Sequence, residues 1–542
     1  MMRAQKEYHM DKKMMRGTFF LTSATFISKI IGFLFIIPFT LLVGDTGYAL
    51  YKYAYGPYTI LLSLSTVGLP LAVSKFVAKY NERGNYLAGL NLLRYGLIAM
   101  IISGIVSFLL LYFSAPWLVV AFGEGGGGNS RDDMVYVVRL VSFALLVVPP
   151  MSLLRGYFQG SDSMGPSAMS TVIEQVVRIA FILAGGYLIL NVLNGTVKGA
   201  VGIATFAAFI GGLASLVLLL WVFWKRRRLI RRQMDESVGN ARIAVFPMFK
   251  ELTRYAIPFV ITGLTIPIYQ NIDTFTINRL FMNIGYAFSK VEVINGNIGI
   301  AQILVLVPVS LATAFGMTLI PRITSSFESG RIQEVRDSID QTFQLVLFFT
   351  FPAAIGLSVV GSHLFRLMFP SSSDAVLGGI ILEWYAPAAI IIALFTVTTA
   401  TMQGINEQKK VVWAIAVGIA VKVGLNILLV PPFKEIGPIL ATYAGMGVSV
   451  LYTLLHIKKA VGLSFRKLIL SLVPIALVTA VMAAVVLVVE KGVEAAVPST
   501  MGEKGIDLIV TSAGILVGMV VFIAGSWRFP VVQGIVSARK KK

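Results

Sequence analysis

The chain of 542 residues is 56% apolar and only 13% charged, with a mean hydropathy of +0.81 and a formal charge of +20. A soluble domain carries roughly twice that charged fraction, so the composition excludes a soluble enzyme and reads as an all-α polytopic membrane protein. With no cysteine, disulfides, thiolate nucleophiles and Cys-ligated metals are excluded as well.

A basic segment, 1–17, precedes an apolar run from Thr18 to Val43. That run is too long for a signal peptide and no small-x-small site follows it, so it is expected to remain as an uncleaved first span. Further apolar windows start near Gly56, Leu87, Met134, Pro166 and Gly199. After the basic stretch KRRRLIRRQ (Lys225–Gln233) they resume near Leu252, Val293, Gln341, Ala375, Val411, Ile436, Lys467 and Ile506. Together these predict fourteen helices of bilayer length. The expected organisation is a cytoplasmic segment (1–17), a six-helix lobe (18–230), a cytoplasmic linker (231–250) and a second six-helix lobe (251–460). Two extra helices (461–527) and a basic tail (528–542) follow.

An even number of spans puts both termini on one side. Nine of the 46 Lys and Arg residues fall on one set of loops: Lys52, Arg131, Lys198, Arg279, Lys290, Arg366, Lys434, Lys491 and Lys504. Six lie within or at the edge of spans, namely Lys29, Arg94, Arg139, Arg178, Arg254 and Lys422, and the remaining 31 fall on the other set. This asymmetry predicts cytoplasmic termini in the cytoplasmic membrane. It also accounts for the basic runs, including RKKK (Arg539–Lys542), without a nucleic-acid partner.

No nucleotide or metal motif is present. GEGGGG (Gly123–Gly128) lacks the Lys-Ser/Thr of a P-loop, and His9, His363 and His456 have no metal-ligand spacing. No cofactor is expected. Membrane potential or an ion gradient remains as the energy source.

Lys29 is the residue most at odds with its surroundings. Counted from Thr18 it lies about 16 Å along the first helix, near the middle of a ~30 Å hydrocarbon core. A lysine stem does not snorkel that far, and a charge at that depth is by default functional. Thr18, Thr22, Thr25, Lys29 and Gly32 recur on one helical face, as do Ser167, Thr171, Glu174 and Arg178 in the fifth span. Thr262, Tyr269, Asp273 and Thr276 do the same in the seventh.

These faces are related by an internal repeat. YFQGSDSM (Tyr157–Met164) and TMQGINEQ (Thr401–Gln408) place Gln159-Gly160 and Gln403-Gly404 at a separation of 244 residues. At that offset Arg178 falls on Lys422 and Lys29 on Asp273, while NERGN (Asn81–Asn85) and FESGR (Phe327–Arg331) are 246 apart. The offsets pair spans six apart, in the same membrane orientation, as in transporters that rock two halves about a central site.

With fourteen spans, two six-helix halves, SKIIGF (Ser28–Phe33) and IDTFTINRL (Ile272–Leu280), the chain resembles the MOP exporter superfamily. Within it, the SpoVB/YtgP branch of polysaccharide-biosynthesis proteins, relatives of the MurJ lipid II flippases, is the most similar, over about Lys12 to Lys467. The resemblance implies a flippase, not an enzyme, that alternates between inward and outward opening and moves an undecaprenyl-diphosphate-linked cell-wall precursor. Lipid II is the first cargo implied. The alternatives are another lipid-linked polysaccharide unit, or cation-coupled multidrug export on the same fold. Implied partners are membrane lipids and cell-wall synthesis enzymes, with the protein a monomer. The family's Ser-Arg-x-x-Gly-Phe motif is met at Ser28–Phe33 with Lys29 for Arg. A second family arginine is replaced by Phe35, and an eighth-helix arginine is absent around Ala301-Gln302-Ile303.

The candidate cargo-binding cations are therefore Lys29, Arg178 and Lys422, since a buried diphosphate needs cations or N–H donors to offset desolvation. Asp273, Glu174, Arg139, Glu383 and Asn426 are the polar or coupling candidates. Structural alternatives stand beside each. Lys29 has Asp273 as an ion-pair candidate, Arg178 has Glu174 one turn earlier, and Lys422 has only Asn426 as an evident neighbour. Arg139 is close enough to the outer surface to snorkel, and Glu383 adjoins Trp384 and Tyr385 in an interfacial belt. A membrane glycosyltransferase or ligase would need an acidic metal motif or a large outer loop, and the sequence has neither.

Overall fold

The structure, a computed structural model, describes residues 23–24, 27–66, 69–122, 128–237, 245–370, 372–496, 502–527 and 529. Thr18, Thr22 and Thr25 lie outside them. Among the described residues all regular structure is helical. The first half carries α1 (Ile27–Thr66), α2 (Leu69–Glu82), α3 (Tyr86–Phe122), α4 (Arg131–Ser142), α5 (Ala144–Gly160), α6 (Met164–Tyr187), α7 (Val197–Lys225) and α8 (Arg227–Asp235). After α9 (Val245–Asn283) come α10 (Phe288–Glu328), α11 (Ile332–Val359), α12 (Gly361–Met368), α13 (Ala375–Tyr385), α14 (Ala388–Gly404), α15 (Gln408–Phe433), α16 (Gly437–Val461), α17 (Phe465–Ala496) and α18 (Gly502–Ser526). The chain forms two compact units, Met1–Asn271 and Ile272–Lys542.

Ten of the described helices are long and apolar enough to span a membrane, or eleven with the bent pair α13–α14 counted as one span. The sequence predicts fourteen, and the difference has identifiable sources. The first two windows share α1, whose 40 residues make roughly 60 Å of helix, about twice a bilayer core. It is broken at Gly44 (φ 69°, ψ −174°), a conformation open only to glycine, so the second rod begins well before Gly56. The eleventh and twelfth windows share the 54 residues of Gln408–Val461, interrupted by a 3₁₀ turn at Lys434–Ile436. The seventh window is helical within α9 but is not among the ten.

The repeat read from the sequence is carried by the backbone. Helices α4, α5 and α6 start at Arg131, Ala144 and Met164; α13, α14 and α15 start at Ala375, Ala388 and Gln408, each 244 residues on. Ser130 caps α4 by accepting from the Asp133 N–H, and Asp374 caps α13 by accepting from the Leu377 N–H, satisfying a free donor at each helix start. The turn before α6 uses Asp162 at φ 52° and the turn before α15 uses Asn406 at φ 61°, residues that tolerate the left-handed region. Gly84 (φ 69°) and Gly330 (φ 70°) turn the chain before α3 and α11, 246 residues apart.

The Gln-Gly pairs have a packing reason. A Cβ on Gly160 would lie 2.4 Å from the Ser74 carbonyl oxygen of α2, and one on Gly404 would lie 2.6 Å from the Ile323 side chain of α10. Each glycine lets two helices of its own half pack closely, Gly160 against backbone and Gly404 against a side chain. In the second unit α17 packs on α18 and on α11. Their seam is Phe348, Val360, Ile475, Met482, Val486 and Phe522, beside an apolar groove of about 840 Å³ lined by Phe349, Pro352 and Met519 among others.

Candidate functional site

Arg178 lies midway along α6 at a helix crossing. Gly211 of α7 sits so close that a Cβ there would be 2.8 Å from the Arg178 Cβ and 2.7 Å from the Glu174 carbonyl oxygen. The guanidinium donates to the Tyr55 hydroxyl at 2.7 Å and the Tyr51 hydroxyl at 3.2 Å, and lies 5.0 Å from the Tyr55 ring centroid. Tyr51 and Tyr55 stack at 4.2 Å, one turn apart on α1. Among the described residues no carboxylate pairs with Arg178. Its charge is held by neutral phenols and a ring face.

Glu174 pairs elsewhere. Its carboxylate accepts from Arg155 Nη2 at 2.7 Å, and the same guanidinium donates to Ser170 at 2.6 Å and Ser215 at 2.9 Å. The one-turn Glu174–Arg178 pair considered from spacing gives way to a cross-helix pair from α5. Arg155, read from the sequence as a residue of an inner loop, is inside α5 and half-buried.

The helix bearing Lys29 is docked on α6 one turn before Arg178. Ser28 donates to the Thr171 carbonyl at 3.3 Å, Gln175 donates to the Ser28 carbonyl at 3.4 Å, and a Cβ on Gly32 would meet Gln175. Ser28 is buried by these contacts, whereas Lys29 next to it is exposed and has no hydrogen bond or ion pair among the described residues. Around α6, Arg155 and Glu174 neutralise each other, while Lys29 and Arg178 pair with no carboxylate among the described residues.

The second half reverses this at the equivalent positions. Lys422 of α15 sits behind Gly445 of α16, where a Cβ would be 2.9 Å from the Lys422 Cβ and 2.7 Å from the Gly418 carbonyl oxygen. Its ammonium is 2.9 Å from Asp273 Oδ2 and donates to Thr442 Oγ1 at 2.8 Å. Asn426 donates to Asp273 Oδ1 at 3.3 Å and to Thr276 at 2.9 Å, and Gln302 donates to Asp273 Oδ2 at 3.5 Å. Lys422, Asp273 and Asn426 are all 0% exposed, so the pair is fully withdrawn from water.

The two remaining candidates sit apart from these clusters. Arg139, near the end of α4, lies over the Tyr112 ring at 5.0 Å. Glu383 of α13 accepts from Ser362 of α12 at 2.5 Å, with Trp384 exposed and Tyr385 buried beside it. A third cluster joins α12 to the last two helices. His363 Nδ1 is 2.7 Å from Asp507, and its Nε2 is 3.0 Å from both Glu490 and Glu494. Arg366 meets Asp507 at 2.7 Å. With carboxylates at both ring nitrogens, Glu490 and then Asp507 hold the imidazole above its ordinary value, against burial and Arg366. No group of three or more His, Asp or Glu side chains among the described residues is arranged to hold a metal.

Sequence reading missed Tyr51, Tyr55, Arg155, Thr442 and Gln302. The tyrosines left a signal: YKYAYGPY (Tyr51–Tyr58) places four tyrosines in eight residues, with Tyr51 and Tyr55 at the i, i+4 spacing of one helix face.

The fold is shared with solved transporters. It superposes on the inward closed conformation of the lipid II flippase MurJ with a TM-score of 0.62 at 17% identity, covering 94% of this chain and 98% of that one. An inward-facing multidrug resistance MATE family transporter of the MOP superfamily gives 0.65 at 14% identity over 79% of this chain and 94% of its own. The chain belongs to the polysaccharide biosynthesis protein family, whose model matches residues 14–327. It is 41% identical over 534 residues, 98% of each chain, to a protein of Bacillus subtilis (strain 168) described as lipid II flippase MurJ. With ten or more apolar spanning helices, it is a multi-pass membrane protein.

Proposed function

We propose that this chain is a flippase that moves lipid II, an undecaprenyl-diphosphate-linked cell-wall precursor, across the cytoplasmic membrane with both termini cytoplasmic. The observation that carries the reading is the charge balance around α6, where Lys29 and Arg178 have no carboxylate partner among the described residues. A diphosphate leaving water needs cations or strong donors that are not already neutralised. Multidrug exporters of organic cations call for the opposite balance. Identity to a lipid II flippase over nearly the whole chain supports the cargo, and the same chemistry would suit another polyprenyl-diphosphate-linked sugar.

In this reading Lys29 and Arg178 hold the head group, while Lys422, already paired, contributes no net charge. Asp273 is the coupling candidate, because it is the carboxylate that closes off Lys422 within the second half. Transport then depends on membrane potential or an ion gradient, since each charge crossing the field exchanges about 2.3 kcal/mol per 100 mV. Enzymes that make or use the precursor are the expected partners.

The test replaces Lys29 in a strain depleted of its lipid II flippase. Lys29→Arg should complement, because the charge is kept, whereas Lys29→Ala and Lys29→Glu should not, at unchanged levels in membrane fractions. Complementation by Lys29→Ala at wild-type strength would overturn the assignment.

A further inference from the structure

We infer that Tyr55, with Tyr51 behind it, is part of the phosphate-binding group of the first half and not merely a support for Arg178. The inference rests on the anionic-cargo reading above and adds residues to it. A phenol that accepts a hydrogen bond through its oxygen still has its own O–H to donate. Both hydroxyls accept from Arg178 Nη2, at 2.7 and 3.2 Å, and the two Arg178 bonds use only part of the five N–H donors of a guanidinium. The cluster is therefore rich in donors and contains, among the described residues, no carboxylate to take them up.

Exposure separates the roles of the two tyrosines. Tyr51 is 7% exposed, held between Phe39 at 5.1 Å and Tyr55 at 4.2 Å. Tyr55 and Arg178 are only half-buried. An oxyanion arriving at Arg178 thus meets the Tyr55 hydroxyl beside it, whereas Tyr51 fixes the guanidinium from within. Tyr51 is the positioning residue and Tyr55 the contacting one. The second half gives the contrast, since its cation meets Asp273 and Thr442, and the carboxylate occupies the donors that an incoming anion would need.

Native mass spectrometry of the purified full chain in detergent provides the test, with undecaprenyl diphosphate and undecaprenol as the two probes. Wild type should prefer the diphosphate. Tyr55→Phe keeps the ring stack and the ring face under Arg178, so it should fold, with a melting temperature near that of wild type. It should bind the diphosphate about 10-fold more weakly, the scale of one hydrogen bond to a charged group, with undecaprenol unaffected. Tyr55→Asp places a carboxylate on Arg178 and should erase the preference. If Tyr55→Phe binds the diphosphate as tightly as wild type, this inference fails and the cargo reading stands. If wild type itself shows no preference, the cargo reading fails.

Discussion

Arg178 and Lys422 stand on corresponding turns of α6 and α15, 244 residues apart, each behind a glycine of the following long helix. The backbone around them is nearly the same, with the caps, the left-handed turn and the glycine crossing all repeated. The partners differ completely. Lys422 is closed off by Asp273, both fully buried, while Arg178 rests on two phenols and stays half-buried. The repeat register gives the cause. The position that carries Asp273 in the second half carries Lys29 in the first, so the residue that would cancel the charge has its sign reversed. Helix packing requires a glycine at the crossing and a side chain behind it, but it does not dictate the sign of the neighbouring charge. One scaffold can therefore hold a closed ion pair in one half and an open cationic site in the other.

The comparison is broken most severely by opening the closed pair. Lys422→Met leaves Asp273 buried without its countercharge, a change that costs about 3–5 kcal/mol. Thermal unfolding of the purified protein should record that loss. Lys422→Met/Asp273→Leu should recover it, because replacing both charges by apolar groups of similar size is neutral or stabilising. Persistence of the loss in the double variant would mean that the pair is not what holds this site.

Arg178→Gln should do the opposite in the first half. Its partners are neutral hydroxyls, so stability should fall by no more than about 1–2 kcal/mol, while complementation of a flippase-depleted strain is lost. Unfolding on the scale of the Lys422 variant, or retained transport, would place Arg178 in the same structural class as Lys422.

The smallest effect belongs to His363, where the charge that completes a cluster is titratable. It faces Glu490 and Glu494 of α17 and Asp507 of α18; Arg366 shares Asp507 and is also influenced by Glu503, and Glu383 of α13 lies against neighbouring Ser362. Because its folded value is raised above 6.5, its stabilisation is complete below that pH. It is lost as pH rises through the higher folded value, when three carboxylates are left with Arg366 alone. The melting temperature should therefore decline from pH 6 toward alkaline pH, and His363→Gln should flatten the decline. An unchanged pH profile in His363→Gln would remove the imidazole from the account.

Much of this was legible without coordinates. The helices and the repeat follow from apolar run lengths and offsets, because a bilayer admits only segments that satisfy their own backbone, whereas the Asp273 offered to Lys29 as a partner is taken by Lys422. Two positions in the backbone were less legible. The first apolar run ends at Val43, next to the break at Gly44, but the start of the second rod just after it was not legible, since the break is set by a φ near 69° and composition does not report a dihedral. Arg155 looked like one more inner-loop cation because its run of sequence is short and mixed, yet α5 carries it inward to Glu174.

The sequence by itself determined the class of protein and the fold, since these depend on hydrophobicity, spacing and repeat register, all properties of the chain in order. Which charge meets which was decided only by the tertiary structure. Asp273 reaches Lys422 from 149 residues away and Arg155 reaches Glu174 from 19, in each case from a different helix. An ion pair is set by distances of about 3 Å, and those arise from how helices cross, which the periodicity of a single helix does not contain.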